Sequence, residues 1–119
     1  MYSQKVKELV SNLPNRGELG EPSHRALGQN PICGDEVELF FQVEGGTVTD
    51  SRFLARGCPA ALASAAAVTE LCRSRSVAAC LKLDSDTLLD YLGGLPPHKT
   101  HGVELALEVL REALREANS

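Results

Sequence analysis

Glu36-Val37-Glu38-Leu39-Phe40-Phe41-Gln42-Val43-Glu44-Gly45-Gly46-Thr47 is the stretch from which the fold can be read. Val37, Leu39, Phe41 and Val43 recur with period two, with Glu36, Glu38, Gln42 and Glu44 mostly opposite, which is the pattern of a strand with one buried face. Gly45-Gly46 accepts the positive φ angles of a tight turn, and Thr47 to Ala55 reads as the returning strand. An antiparallel hairpin is therefore predicted. The residues before Cys33 have room for a third strand, but no alternation shows one.

Moving toward the C-terminus, Gly57-Cys58-Pro59 leads into an alanine-rich run from Ala60 to Arg73, a strong helix former with side chains small enough for close packing on a sheet. Pro59 suits the first helical turn and places Cys58 at the N-cap, where free backbone amides and the helix dipole favour a thiolate. Ser76 to Leu81 and Asp84 to Leu92 are short helices, the second capped by Asp84 or Ser85 and closed by Gly93-Gly94. Leu95-Pro96-Pro97 interrupts the chain. A last helix begins near Thr100, with His101 in its first turn and an apolar stripe of Val103, Ala106, Leu107, Leu110, Leu114 and Ala117.

Toward the N-terminus, Val6, Leu9, Val10 and Leu13 form one face of a short helix over residues 3 to 13, ended by Pro14. Asn15 to Pro31, with Gly17, Gly20, Pro22 and Gly28 among polar residues, has the composition of a loop. Helix, hairpin, then helices make an α+β arrangement, with several helices covering a small antiparallel sheet in one domain over residues 1–119.

Composition narrows the function. The 119 residues are 43% hydrophobic and 24% charged, the balance of one compact domain. No apolar run reaches the ~18 residues of a membrane span and the start has no signal-peptide pattern, so a cytoplasmic protein is expected. A formal charge of -4 without a basic run offers phosphate backbones little, and of the few aromatic residues Phe41 and Phe53 are better used in the core, so nucleic acid is not the expected partner. Four cysteines, Cys33, Cys58, Cys72 and Cys80, form no Cys-x-x-Cys pair, which sets aside zinc ribbons and thioredoxin-like motifs.

Residue types that hold a soft or borderline metal stand at three element ends: Cys33 with Asp35, Cys58, and His101. Each has a plainer reading. Asp35 suits a turn cap, His101 a first-turn partner for backbone, and Cys58 a buried helix-start thiol. Cys72 and Cys80, in apolar helical contexts, read as core, while His98, three residues before His101, can share its helical face and compete as a ligand. Cys58 paired with His101 also resembles a catalytic thiol and base, but no oxyanion-hole motif or orienting third group accompanies them, and an enzyme is not expected.

Several motifs, in order, resemble the NifU/IscU-type family of iron-sulfur cluster assembly scaffolds. They are Tyr2-Ser3-Gln4-Lys5-Val6, Asn30-Pro31-Ile32-Cys33-Gly34-Asp35, Gly57-Cys58-Pro59-Ala60, Val68-Thr69-Glu70 and Leu95-Pro96-Pro97-His98-Lys99-Thr100-His101. The resemblance spans essentially the whole chain. It implies a scaffold that takes sulfur from a cysteine desulfurase and iron from a donor, builds a [2Fe-2S] cluster and passes it to apo-proteins. It also implies that Cys33 and Cys58 are ligands, that Asp35 lies close to the cluster and makes it labile, and that His101 precedes the third ligand cysteine. The Leu-Pro-Pro-x-Lys segment, with Pro97 and Lys99, corresponds to the part that a dedicated chaperone recognises in related proteins. A monomer or weak homo-oligomer is expected.

The chain departs from the pattern at the third cysteine, where Gly102 stands. In relatives that cysteine is a main acceptor of persulfide sulfur. Cys72 cannot easily replace it, since fourteen residues of helix from Cys58 is ~21 Å at ~1.5 Å per residue, which leaves Cys80 as a further candidate. Cys33, Cys58, His101 and Asp35 remain, a two-sulfur, one-nitrogen, one-oxygen set suited either to iron in a labile [2Fe-2S] cluster with mixed ligation or to tetrahedral Zn²⁺. A zinc-binding relative that accepts sulfur from, or modulates, a cysteine desulfurase is the alternative expectation.

Overall fold

In the computed structural model, which describes residues 2–118, the hairpin forms as its alternation predicts. Strand β2 (Asp35–Glu44) pairs antiparallel with β3 (Thr47–Arg56), setting Val37 against Ala55 and Leu39 against Phe53, with one register shift between Gln42 and Val43. Gly45 and Gly46 turn the chain at φ 59° and 77°. Val37, Leu39, Phe41 and Phe53 are fully buried. Phe40, on the opposite and more charged face, is buried as well, at a register position between Arg25 and Arg52.

The stretch predicted as loop contains a third strand. β1 (His24–Asn30) pairs antiparallel with the free side of β2, Gly28 opposite Val37 and Asn30 opposite Asp35, giving the order β1-β2-β3. Its less exposed positions, His24, Ala26, Gly28 and Asn30, carry no large apolar side chain, and the bulky Leu27 points the other way, 55% exposed. The reason is space: a Cβ on Gly28 would stand 2.6 Å from Val109 Cγ2 on the helix above. The far edge of β3 is closed by chain from two other places. Gly17 donates its amide to Phe53 O, Phe53 donates to Asn15 O, and Val48 exchanges backbone bonds with Ser74 and Arg75.

The helices follow their caps. In α1 (Gln4–Asn12) Ser3 Oγ accepts from the Val6 amide, and in α4 (Ser85–Leu92) Asp84 accepts from the Thr87 amide. Between them α2 (Pro59–Cys72) has Cys58 at its N-cap as predicted, and α3 (Val77–Leu81) is a short helix capped by Ser76. Buried Ala60, Ala61, Ala63, Ala65, Ala66 and Ala67 let α2 lie close to its neighbours on every side. The last helix, α5 (His101–Leu114), packs on α2, β1 and β2. It ends at Leu114 rather than continuing to Ala117, which lies in a following 3-10 turn. Among the described residues, no helix is long and apolar enough to cross a membrane.

Candidate metal centre

Three separate element ends meet at one place: the turn into β2, the start of α2 and the start of α5. Asn30 shapes the first. Its side-chain oxygen accepts from the amides of Ile32 at 3.1 Å and Cys33 at 3.4 Å, and its carbonyl accepts from Gly34 at 2.8 Å, a tight turn that leaves Cys33 exposed. Gly34, at φ 74°, then reverses the chain so that Asp35 enters the sheet with 1% of its surface exposed.

A buried carboxylate is costly without hydrogen-bond donors, and the start of α2 provides one. The Cys58 amide donates to Asp35 Oδ1 at 3.0 Å, while Asp35 Oδ2 lies 3.7 Å from Cys58 Sγ and 3.6 Å from His101 Nε2. His101 Nε2 is in turn 3.1 Å from Cys33 Sγ. Ligand atoms of Cys33, Asp35 and His101 all lie within 4.8 Å of one another. Around a tetrahedral ion with bonds of ~2.0–2.3 Å, neighbouring ligand atoms are about 3.3–3.8 Å apart, so the three need only small movements to share one ion. Cys58 joins them through its contact with Asp35. The donor set, thiol with imidazole and carboxylate, fits zinc or iron.

Of the four residues selected from the sequence, Cys33, Asp35 and His101 form this close group, and Cys58 lies outside it, touching Asp35. His98 is exposed in a 3-10 turn (Pro97–Lys99) before α5, outside the cluster and not on the helix of His101. Pro97 and Lys99 lie in that same turn, with Pro97 exposed. Cys72 and Cys80 are buried core, Cys80 Sγ donating to the Cys72 carbonyl at 3.6 Å. The neighbouring Cys80 thiol, and after it burial, push the Cys72 thiol far above its ordinary range, so it stays protonated. The catalytic pairing of Cys58 with His101 is not what the contacts favour: the imidazole meets Cys33, and the Cys58 thiol meets Asp35.

Gly102 is buried against the first turn of α2, where an added Cβ would stand 3.0 Å from Ala61 N and 3.1 Å from the Ala60 carbonyl carbon. Two features of the site were not read from the sequence: the turn-shaping role of Asn30, and the packing of Gly57, a residue expected to let the backbone approach a bound ion, against Asp35. Asn30 had a legible signal, an Asn able to bond amides two and three residues on, whereas the contact between Gly57 and Asp35 depends on spatial packing that no spacing reveals.

A three-stranded meander covered by helices, with mixed sulfur, nitrogen and oxygen donors gathered at three element ends, defines a small α+β domain with a candidate metal centre. The chain belongs to the family of NifU-like N-terminal domains, whose model matches residues 1–118. It is 33% identical over 114 residues to an iron-sulfur cluster assembly scaffold protein IscU of Archaeoglobus fulgidus, covering 96% of this chain and 74% of that one. It is 32% identical over 117 residues to the IscU scaffold of Aquifex aeolicus, covering 97% and 74%. In fold it resembles the N-terminal part of a nitrogen-fixing NifU-like protein from Brucella abortus, with a TM-score of 0.81, 17% identity, and coverage of 98% of this chain and 93% of that one. The resemblance drawn from the motifs and the α+β fold read from the order of elements both hold.

Proposed function

We propose that this protein is an iron-sulfur cluster assembly scaffold or carrier that holds iron, or a [2Fe-2S] cluster, as cargo at Cys33, Asp35, Cys58 and His101. The observation that carries the reading is the approach of Cys33, Asp35 and His101 to within 4.8 Å of one another, although 68 residues separate Cys33 from His101. Relatives sharing about a third of its residues are named as such scaffolds. Cys58, whose Sγ lies 3.7 Å from the same Asp35 oxygen that faces His101, offers a second thiolate for a site larger than one ion. The protein binds and hands on; it is not an enzyme. Its partners in this reading are a cytoplasmic cysteine desulfurase, apo-protein acceptors, and a chaperone engaging the segment with Pro97 and Lys99.

Anaerobic reconstitution with ferrous iron and sulfide tests it. Visible charge-transfer absorption with bound iron and labile sulfide is expected, and Cys58→Ser abolishes it. A colourless, iron-free product overturns cluster binding. One observation favours a second reading, zinc: the single-ion spacing of the Cys33, Asp35 and His101 ligand atoms. In that reading the exposed Cys33 accepts sulfur and the protein modulates a desulfurase. Purified protein containing stoichiometric zinc and accelerating desulfurase turnover supports it, and protein with neither removes it.

A further inference from the structure

Gly57 has exposed backbone between β3 and α2, and φ is 130°, a conformation that side chains on L residues rarely adopt. Its conformation is not its only constraint. At Gly17, Gly34, Gly45, Gly46 and Gly94, which also have positive φ, an added Cβ would meet nothing within 4 Å. At Gly57 it would collide with Asp35 Oδ1 and stand 2.9 Å from both Cα and Cγ of Asp35. The carboxylate lies directly on the bare Cα of Gly57.

This contact determines which carboxylate oxygen is free. With Gly57 beneath it, Asp35 Oδ1 accepts the Cys58 amide at 3.0 Å, and Oδ2 turns toward Cys58 Sγ and His101 Nε2. A side chain at position 57 would push the carboxylate off that amide. The amide would lose its acceptor, and Oδ2 would swing away from the imidazole and thiols. We propose that Gly57 is a positioning residue for the metal centre: it commits one oxygen of Asp35 to the start of α2 and leaves the other as a single-oxygen ligand. The inference rests on the metal-binding reading above and goes beyond it in assigning a role to a residue with no side chain and a binding mode to Asp35.

The test is a Co²⁺ titration, followed by the ion's ligand-field absorption, of the parent, Gly57→Ala, Asp35→Ala and the double variant, with circular dichroism to check folding. The parent binds Co²⁺ in a mixed sulfur, nitrogen and oxygen field. Gly57→Ala weakens binding by roughly tenfold or more, the range for loss of an orienting group. Its spectrum moves the same way as that of Asp35→Ala, and in the Asp35→Ala background it adds little, because both changes act through one carboxylate. If Gly57→Ala alone fails to fold while the double variant folds, the inference also stands, since the collision is then with the carboxylate. It is overturned if Gly57→Ala keeps parental affinity and spectrum, if it weakens binding equally in both backgrounds, or if both variants carrying it unfold. A parent that binds no Co²⁺ overturns the metal-binding reading itself, a result distinct from these.

Discussion

Gly102, where the motif resemblance leads one to expect a cysteine, has little room for a side chain. Its position is buried, and an added Cβ would press on the backbone of Ala60 and Ala61 at 3.0–3.3 Å, inside a helix turn that yields little. Gly102→Cys is therefore predicted to cost about 1–3 kcal/mol of stability through overpacking, measured by urea unfolding with an unchanged m-value. An equally stable variant would show that the first turns of α2 and α5 separate freely. Cys33, Asp35, Cys58 and His101 were legible as candidates because each is a metal-binding residue type at the end of a readable element. The relation between Gly57 and Asp35 was not, because it depends on how closely two backbones approach.

At the scale of elements, the caps carry a pH-dependent contribution. Hydrogen bonds from the Thr87 amide, and then its hydroxyl, hold Asp84 below the ordinary 3.8. A depressed carboxyl stabilises the fold at pH values above its ordinary range, and that contribution is lost as pH falls through its lowered folded value. Asp84→Ala is thus predicted to lower Tm at about pH 7, with the difference from the parent shrinking as pH falls through the carboxyl's lowered folded value. A difference that persists in acid would mean that Asp84 acts through something other than its charge. The hairpin and helices were legible because their periods are clear, as in Val37, Leu39 and Phe41 on β2. β1 was not, because the crowding of Gly28 by Val109 demands small residues where a strand pattern would show large ones. Sequence periodicity reports what a face buries, and a face that must stay thin gives no signal.

For the molecule as a whole, the candidate centre exists only when distant parts of the chain are folded together. The sheet presents Asp35, α2 presents Cys58 and α5 presents His101, and the packing of α5 on both α2 and β1 sets the distances among them. No one segment holds the site, so it is as cooperative as the fold. The measurement that tests this most directly is X-ray absorption at the iron K-edge of anaerobically iron-loaded protein. A first shell of sulfur together with nitrogen or oxygen is predicted, losing sulfur in Cys33→Ser and an imidazole contribution in His101→Ala. A shell of oxygen and nitrogen alone, unchanged by either substitution, would contradict the account.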